Sequence, residues 1–351
     1  MITYKFPNPV ELNMMTQAYV IDRSRMKGQT IIPFKNTELS KVQWDELDNE
    51  RGMTAPHQQD TDPKVVARPG SKLREYTPIF FKESEVIKES ELLNARAFGT
   101  INGAINLDEL VATRLKARID KDFIRSEWLI WAMLQGQIAI DENGVKVDET
   151  FDTLTFTPNV DWDQHATATP LADARTFSRL FRPTGASASG AVIIVNQTDM
   201  DHVLSNKNAD DFFGFVNENF KKTTYSIEEL NKVLAVNGLP TYEVYDDGYI
   251  DANGDFQTYI KDGKPIVIGK RPNGQKHGEF LLTPSLHNSK NGMPAGGFFS
   301  LITVNGQPSN GLISVSELGE NANPKIQITT GFYGGPTLYY PKSILRVNAW
   351  S

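Results

Sequence analysis

Three short stretches of the sequence come close to motifs that carry chemistry, and the first is a glycine- and lysine-containing stretch at 269–276. A phosphate-binding P-loop needs a lysine directly after its second glycine, then serine or threonine at the start of a helix. Here Lys276 comes one position late, His277 follows it, and no helical pattern comes after it. The stretch is therefore predicted to be a flexible turn.

The second stretch, 251–262, half resembles a calcium-binding loop. Such a loop needs glycine at its sixth position and usually glutamate at its twelfth, where this sequence has Phe256 and Asp262. Tyr249 and Ile250 before the turn and Tyr259 after it are instead typical of a β-hairpin with a solvated tip. The sequence therefore predicts a hairpin and no metal.

The third stretch, Gly-Ala-Ser-Ala-Ser-Gly at 185–190, is close to a nucleophile elbow. The elbow has glycine at its fifth position and follows a strand, whereas here the fifth residue is Ser189 and the strand comes afterwards. A loop of small residues is predicted. Asp246-Asp247 is interpreted as a solvated turn, because adjacency alone does not identify a catalytic pair.

The remaining candidates for chemistry are few. The five histidines are scattered, with no pair at metal-ligand spacing: His57, His165, His202, His277 and His287. The sequence has no cysteine, which excludes disulfides, thiolate nucleophiles and Cys-ligated zinc. We therefore predict no catalytic residue, no cofactor and no metal ligand.

Composition and charge indicate which binding partners and which cellular compartment are expected. The net charge of the chain is −7 and no dense Lys/Arg stretch occurs, so sequence-specific nucleic-acid binding is not expected, although net charge alone does not exclude a weak contact with nucleic acid. A long cysteine-free chain suits a reducing compartment such as a bacterial cytoplasm. No signal peptide or membrane span is apparent, so a soluble protein is expected.

The strongest secondary-structure pattern in the sequence is that of a long helix. Asn106 is a suitable N-cap and Gly136 a suitable stop. Apolar residues recur along one face between them: Val111, Leu115, Ile119, Phe123, Ile124, Trp128, Trp131 and Leu134. A helix over 106–135 would be about 45 Å long, which indicates a structural spine.

A two-stranded arm is predicted before this helix. Strand-like runs at 64–68 and 75–81 flank a turn at 68–71, within a segment from about 42 to 88. An isolated hairpin is marginally stable in water. The arm therefore needs a surface to lie on, either its own domain or a neighbouring subunit.

The rest of the chain alternates between strands and short helices. Strands are predicted as a hairpin over 138–147 with an Asn143-Gly144 turn, then over 152–160, 190–196, 326–328 and 344–347. Helices are predicted over 172–181, over 199–204 with Thr198 as cap, and from a Ser226 cap to Val236. Residues 1–40 are predicted to be irregular and 292–297 to be a loop. Together these elements predict an α+β fold.

Taken in order, these motifs resemble the major capsid protein E family of tailed bacteriophages, in its lambda-like branch. The arm is similar to the family's extended loop, and the helix ending Ala132-Met133-Leu134-Gln135-Gly136 resembles its long helix. Further matches are Gly190–Val195 with the helix after it, Tyr249-Ile250-Asp251 with Gly254, Pro265–Ile268, and Gly335–Pro341. The resemblance covers nearly the whole chain and is weakest over 161–182 and 269–297.

The resemblance implies the Hong Kong 97-type capsid fold, an α+β fold built of four parts. These are an N-terminal arm, an extended β-hairpin loop, a peripheral domain with the spine helix and a β-sheet, and an apical domain. The corresponding parts of this chain would be 1–41, 42–95, 96–160 with 298–351, and 161–297, in that order. Six residues of the extended loop are expected to contact a neighbouring subunit: Lys64, Arg68, Lys72, Arg74, Glu75 and Tyr76.

The function that the resemblance implies is that of a major capsid protein without enzymatic activity. Copies would form hexamers and pentamers of an icosahedral shell around double-stranded DNA, which they would contact non-specifically. Portal, scaffolding and decoration proteins would be further partners, no membrane would be involved, and the virion capsid would assemble in the host bacterial cytoplasm. Some capsids of this fold cross-link Lys to Asn. Lys64 and Lys72 lie in the corresponding loop, although exposed lysines on a solvated tip are the simpler interpretation.

Two alternatives remain. An encapsulin-like compartment shell would share the fold and would carry a cargo protein. An enzyme of an unrecognised α+β fold would need a concave site with perturbed carboxylates, which the sequence does not indicate.

Overall fold

The longest elements of the fold are a helix over Leu107–Leu134 and a strand over Lys325–Pro336. They belong to a computed structural model that describes residues 3–5, 26–47, 53, 56, 71–88, 90–91, 107–206, 226–290, 293–308, 312–314 and 325–350. The α-helices in these ranges are α1 (Lys27–Ile31), α2 (Leu107–Leu134), α3 (Pro170–Phe181), α4 (Gln197–Leu204) and α5 (Ile227–Val236).

The strands in the first half of the chain are β1 (Thr3–Lys5), β2 (Phe34–Asn36), β3 (Val42–Leu47), β4 (Ser71–Tyr76), β5 (Ile79–Lys88), β6 (Gln137–Glu142), β7 (Val145–Thr150) and β8 (Leu154–Phe156). Those of the middle are β9 (Ser187–Val195), β10 (Thr241–Val244), β11 (Gly248–Ile250), β12 (Phe256–Thr258), β13 (Ile266–Lys270), β14 (Phe280–Leu282), β15 (Pro284–Lys290) and β16 (Met293–Gly296). The last are β17 (Phe299–Val304), β18 (Gln307–Pro308), β19 (Leu312–Ser314), β20 (Lys325–Pro336) and β21 (Ile344–Val347).

Helix α2 confirms the predicted spine. Six of the eight residues of its apolar stripe are buried, from Val111 at 4% exposure to Leu134 at 0%, and Ile124 and Trp128 are half-buried. The helix ends where Gly136 takes the left-handed conformation with φ 92°, and Arg346 Nη1 donates a hydrogen bond to the Gln135 carbonyl at 2.9 Å. Because the C-terminal end of a helix carries partial negative charge, this guanidinium stabilises the end of the spine.

A six-stranded sheet, counted over the described residues, packs against α2. The long strand β20 lies inside it, pairing with β17 and along its length with β5, from Ile79 opposite Gly334 to Lys88 opposite Lys325. Ile326, Ile328 and Phe332 of β20 are fully buried in the same core as α2. The predicted strand at 326–328 is therefore confirmed as part of a longer central strand.

The described residues also form a five-stranded sheet, in the order β10-β9-β13-β21-β8. Its two faces contribute to two different cores, because successive side chains of a strand point to opposite faces. The first core, which contains α2, takes Ile194, Ile266, Ile268 and Ile344. The second core, which contains α3, α4 and α5, takes Ile193, Val267, Leu345 and Val347. The buried strands predicted at 190–196 and 344–347 are both confirmed.

The caps of the short helices follow local side-chain chemistry. Ser226 forms a capping box with Glu229 at the start of α5, as the Ser226 cap predicted. The expected cap of the preceding helix was wrong: Asn196, not Thr198, accepts the hydrogen bond of the Asp199 amide at 2.8 Å. Helix α4 therefore begins at Gln197, two residues earlier than predicted.

Four other expectations need correction. The segment 1–40 includes α1 and β2 within its described part, and Met293–Gly296 is a strand paired with β15, not a loop. The strand predicted over 152–160 is limited to Leu154–Phe156. The small-residue stretch at 185–190 enters strand β9 at Ser187, because the lack of bulky side chains does not prevent ladder pairing with Lys270.

Each of the two main sheets is built from strands that are far apart in sequence. Strands β8 and β21 lie in the five-stranded sheet with β9, whereas β14 lies in the six-stranded sheet beside β20.

Candidate subunit interface

The extended loop contains a two-stranded arm, although its strands differ from those expected. β4 pairs antiparallel with β3, from Val42 opposite Tyr76 to Leu47 opposite Ser71. The predicted partner run at 64–68 lies outside the described residues. The other predicted strand, 75–81, is divided at Thr77-Pro78, and β5 leaves the arm to join β20.

One face of the arm is attached to its own chain. Val42, Trp44 and Tyr76 on this face are buried at 0%, 5% and 6% exposure. Trp44 stacks on Phe151 with a centroid distance of 6.0 Å, and the Tyr76 hydroxyl donates to the Pro336 carbonyl at 2.9 Å. Burial raises the pKa of Tyr76 well above its usual range, so the hydroxyl keeps the proton that it donates.

The opposite face of the arm points to solvent. Leu73 is 66% exposed and Leu47 is 39% exposed, and they lie on the same face because Asp45 pairs with Leu73 and Leu47 with Ser71. Glu75 on this face accepts hydrogen bonds from Lys41 Nζ and Gln43 Nε2, both at 2.7 Å. The centre of a protein interface is typically apolar and its rim polar. The exposed leucines and the paired charges give this outer face both kinds of surface.

Of the six residues expected at an interface, the four that the structure describes are distributed over both faces of the arm. Lys64 and Arg68 lie outside the described residues. Lys72 and Glu75 are exposed, while Tyr76 is buried in the attachment of the arm. Arg74 is half-buried and donates from Nη2 to the Thr150 carbonyl at 2.5 Å, so it joins the arm to the β6–β7 hairpin.

A buried carboxylate that the sequence did not single out joins three parts of the fold. Glu127 of α2 is fully buried. It accepts hydrogen bonds from the Gly28 amide at 2.6 Å, the Gln29 amide at 3.1 Å, Trp131 Nε1 at 2.8 Å and the Tyr245 hydroxyl at 3.1 Å. Burial raises the pKa of Glu127, and these hydrogen bonds oppose the shift. The helical stripe gave no signal for it, because only Trp131 is near in sequence; Gly28 and Gln29 are 99 and 98 residues away and Tyr245 is 118 residues away.

Two of the motif-like stretches come together in the structure. Residues 185–189 and 270–274 line one cleft of about 650 Å³ at the end of the five-stranded sheet where β9 begins. Pro272–Gly274 form a single 3-10 turn with no helix after it, so the cleft lacks the helix N-terminus of a P-loop. The described lining contains neither histidine nor a carboxylate, so no base accompanies the serines.

The calcium-loop-like stretch is a hairpin, as predicted. β11 pairs with β12, with Ile250 opposite Phe256. Asp251 Oδ1 accepts the amide hydrogens of Asn253 at 2.9 Å and Asp255 at 3.0 Å. Asp251, at the first position of the calcium-loop-like stretch, therefore accepts hydrogen bonds that stabilise the turn.

Two histidines meet in the structure despite their separation in sequence. His165 Nε2 and His202 Nδ1 are 2.8 Å apart, a contact that a spacing of 37 residues does not reveal. Among the described residues, no group of three or more potential ligand side chains is placed to hold a metal ion. Within those same ranges, no helix combines the length and apolar composition needed to cross a membrane.

Two solved structures show what this chain is similar to. A phage-related protein from Bordetella bronchiseptica RB50 superposes with a TM-score of 0.54 at 10% identity, covering 98% of each chain. A putative capsid protein of a prophage of Escherichia coli CFT073 gives a TM-score of 0.53 at 12% identity, covering 80% of each chain. No curated protein matches the sequence. At these identities the likeness establishes the fold, which is the α+β, Hong Kong 97-type capsid fold.

The family follows from the sequence itself. The model of the family described as phage major capsid protein E matches residues 23–294, which is more than half of the chain. That range includes the arm, the spine helix and most of the five-stranded sheet. The chain therefore belongs to the phage major capsid protein E family and is a shell-forming structural protein of the virion capsid.

Proposed function

We propose that copies of this chain assemble into the hexamers and pentamers of an icosahedral shell around the double-stranded DNA of a tailed phage. The observation that carries the proposal is the two-sided arm. One face is fixed to its own chain through Trp44 and Tyr76, while the other presents Leu73 and Leu47 to solvent. Over the described residues, β3 and β4 form a sheet of two strands, and strands at the edge of a sheet are prone to pair with another chain.

The interface proposed for the arm is its outer face with the loop beyond it. Glu75 supplies a charge on this face. Lys72, exposed near the start of β4, would supply another, although it lies on the face of Trp44 and Arg74 because it pairs with Glu46. Lys64 and Arg68 would extend the contact from outside the described part. Arg74 and Tyr76 hold the arm in the orientation in which this face meets a neighbour. Interfaces of obligate assemblies bury more than about 2,000 Å² in total, so the arm would supply only part of each contact.

We propose four parts for the subunit: an N-terminal arm (1–41), an extended loop (42–95), a peripheral domain and an apical domain. The peripheral domain (96–160 with 298–351) would contain α2 with β17, β18 and β20, and the apical domain (161–297) would contain α3, α4 and α5 with β9, β10 and β13. The shared sheet strands favour assigning β8 and β21 to the apical part and β14 to the peripheral part.

We also propose that the shell has further protein partners and that the chain has no catalytic activity. Portal, scaffolding and decoration proteins would bind the assembled shell, DNA would be contacted without sequence preference, and assembly would take place in the host bacterial cytoplasm. A non-enzymatic role agrees with the buried carboxylate Glu127, whose oxygens accept four hydrogen bonds from the chain itself.

The test is electron microscopy of the purified protein, with light scattering for mass. Shells, tubes or five- and six-membered rings are expected, and a cargo protein inside them would indicate a cellular compartment instead. Leu73→Lys should abolish assembly, because a charge replaces an apolar contact on the outer face. Val145→Lys, at a valine that is 41% exposed on the β6–β7 hairpin, is the matched control and should assemble. A wild-type chain that stays monomeric with scaffold and crowding agents would overturn the proposal.

A further inference from the structure

An acidic hairpin and a basic cleft lie at opposite ends of the five-stranded sheet. The β11–β12 hairpin follows β10 beside the end of β9, where the Tyr245 amide donates to the Val195 carbonyl at 2.8 Å. The cleft lies at the start of β9, where Ser187 pairs with Lys270. Nine residues of β9 separate them, a distance of about 30 Å in extended chain.

The hairpin presents an apolar pair surrounded by negative charge. Ile250 and Phe256 face each other across the strands and are 71% and 59% exposed. The segment 246–258 contains four aspartates and no Lys, Arg or His. The hydrogen bonds that Asp251 accepts fix the turn, so the hairpin is preorganised, which lowers the entropic cost of binding.

The cleft carries positive charge, opposite to that of the hairpin. Arg182, Lys270 and Arg271 line it, and its described lining includes no acidic residue. Arg271 is only 5% exposed, its guanidinium lies 3.6 Å from the ring centroid of Tyr340, and it donates to the Thr184 carbonyl at 3.5 Å and to Gln275 Oε1 at 2.9 Å. These partners are uncharged, so they leave the positive charge of this cleft without a carboxylate, which favours an anionic occupant.

The cleft also has an apolar part, which bears on the identity of the occupant. Ala186, Ala188 and Pro272 belong to its lining. Such a surface suits an aromatic side chain next to a carboxylate, as the exposed pair of Phe256 and Asp255 would supply. The sugar–phosphate backbone of DNA would satisfy only the cations. A second copy of this chain therefore fits the cleft better than nucleic acid does.

We propose that the acidic hairpin of one subunit docks in the basic cleft of the next, joining copies head to tail. Two different surfaces at opposite ends of a subunit give a heterologous contact, which forms a ring when the rotation closes. This inference rests on the proposed function and specifies which surfaces meet around a hexamer or pentamer. Charge complementarity at such a contact selects the partner and its register.

The test uses engineered cysteines, for which the cysteine-free chain gives no background. Ala252→Cys in the hairpin turn combined with Ser187→Cys in the cleft keeps all the charges of both surfaces. The two sites lie too far apart for a disulfide within one chain, which needs Cα atoms within about 7 Å. Oxidation of the assembled protein should give a ladder of covalent oligomers on denaturing gels, ending at the ring size. Each single-cysteine variant should give no more than a dimer.

Two further variants complete the design. Ala252→Cys with Lys146→Cys, on the exposed β6–β7 hairpin, is the matched control and should give no ladder. Lys270→Glu should reduce the cross-linking yield at least tenfold, and adding Asp255→Lys should restore part of it.

A negative result for the docking contact can be distinguished from a failure of the proposed function. Normal shells without a ladder would overturn this inference and leave the proposed function standing. Wild-type protein that never assembles would overturn both. If Lys270→Glu lowers DNA retention in shells that show no ladder, the occupant of the cleft is nucleic acid and the inference is wrong.

Discussion

Glu127 and Asp122 lie five residues apart on the spine helix, and both are buried carboxylates. They differ in how their charge is compensated. Glu127 accepts four hydrogen bonds from three separate parts of the fold. For Asp122, burial raises the pKa from 3.8 to about 7, and the nearby Arg118 and Lys121 only partly offset this effect. The first carboxylate therefore holds the fold together, while the second costs stability when it is ionised.

Glu127→Ala is expected to lower the free energy of unfolding by at least about 3 kcal/mol. It leaves the Gly28 and Gln29 amides and Trp131 Nε1 without an acceptor, and each unsatisfied buried donor costs about 1–3 kcal/mol. Glu127→Gln keeps one acceptor oxygen and should cost less. Urea denaturation of the unassembled subunit measures both. Equal losses for the two variants would contradict the prediction, because Gln keeps both the side-chain volume and one acceptor oxygen.

Asp122→Asn is expected to stabilise the subunit above pH 7. Because the folded pKa is raised from 3.8 to about 7, the folded state binds the proton more tightly than the unfolded state. Wild-type stability should therefore fall as the pH rises from about 4 to 7, by up to about 4 kcal/mol for a shift of this size. The variant should lose this dependence, whereas Asp120→Asn on the half-buried neighbouring position should keep it. A wild-type stability that is flat over this range would contradict the prediction.

Among the elements, the arm and the end of the spine show how distant segments fix local structure. Tyr76 of the arm bonds to Pro336, and Arg346 bonds to the carbonyl of Gln135. In both cases the partner lies more than 200 residues away along the chain. These contacts set where the arm lies and where the spine helix ends.

Tyr76→Phe is expected to loosen the arm without unfolding the subunit. The ring stays buried, and only the hydrogen bond to the Pro336 carbonyl is lost, at a net cost of about 1 kcal/mol. Faster amide hydrogen exchange confined to β3 and β4 would show the effect. Tyr333→Phe, on β20, serves as the control and should leave the exchange of the arm unchanged. Exchange rates that rise across the whole molecule would contradict a local role.

Gly136→Ala should be more destabilising than Gly144→Ala. Both glycines have a left-handed backbone, with φ 92° and φ 79°. A Cβ at Gly136 would lie 2.5 Å from Arg346 Nη1, whereas a Cβ at Gly144 would meet nothing within 4 Å. Arg346 cannot move away freely, because Nη1 and Nη2 bond to Gln135 and Thr155. Thermal unfolding should show an additional loss of about 1–2 kcal/mol for Gly136→Ala; equal losses would mean that Arg346 yields without cost.

Local patterns predicted the elements well and their partners poorly. The spine helix, the Asn143-Gly144 hairpin and the Ser226 cap depend on neighbouring residues, and the structure confirms all three. The partner of Ser71–Tyr76 was missed because an alternating strand pattern is the same whichever strand lies beside it. The candidate interface was anticipated in the extended loop, but Glu127 and the basic cleft arise from long-range contacts that no window of sequence contains.

On the scale of the whole molecule, the five-stranded sheet is shared between two cores. Ile194 faces the core of the spine helix, and its neighbour Ile193 faces the core of α3, α4 and α5. Paired residues of neighbouring strands lie on the same face of a sheet. The neighbouring strand β13 therefore follows the same division, because Val267 pairs with Ile193 and Ile266 pairs with Ile194. Neither core is complete without the sheet, so the two are expected to lose their structure together.

This coupling predicts one unfolding transition for both cores. Trp131 is buried in the first core and Trp162 in the second. With 5-fluorotryptophan incorporated, the fluorine NMR signals of these two residues should disappear at the same urea concentration in the unassembled subunit. Trp131→Phe and Trp162→Phe variants assign the signals. Midpoints that differ by more than the error of the titration would show that the cores unfold independently.

The position of β20 has a consequence for the timing of assembly. This strand holds β5 and β17 together, and Pro336 at its end accepts the hydrogen bond of the Tyr76 hydroxyl. During synthesis, β3, β4, β5 and the spine helix all leave the ribosome before residues 325–336 exist. A nascent chain thus has the contacts of its arm with Thr150 and Phe151 but lacks the Pro336 acceptor, and the proposed interface takes its final orientation only once this late segment has been made. The order of the strands in the sequence is therefore expected to delay self-association through the arm until the subunit is nearly complete.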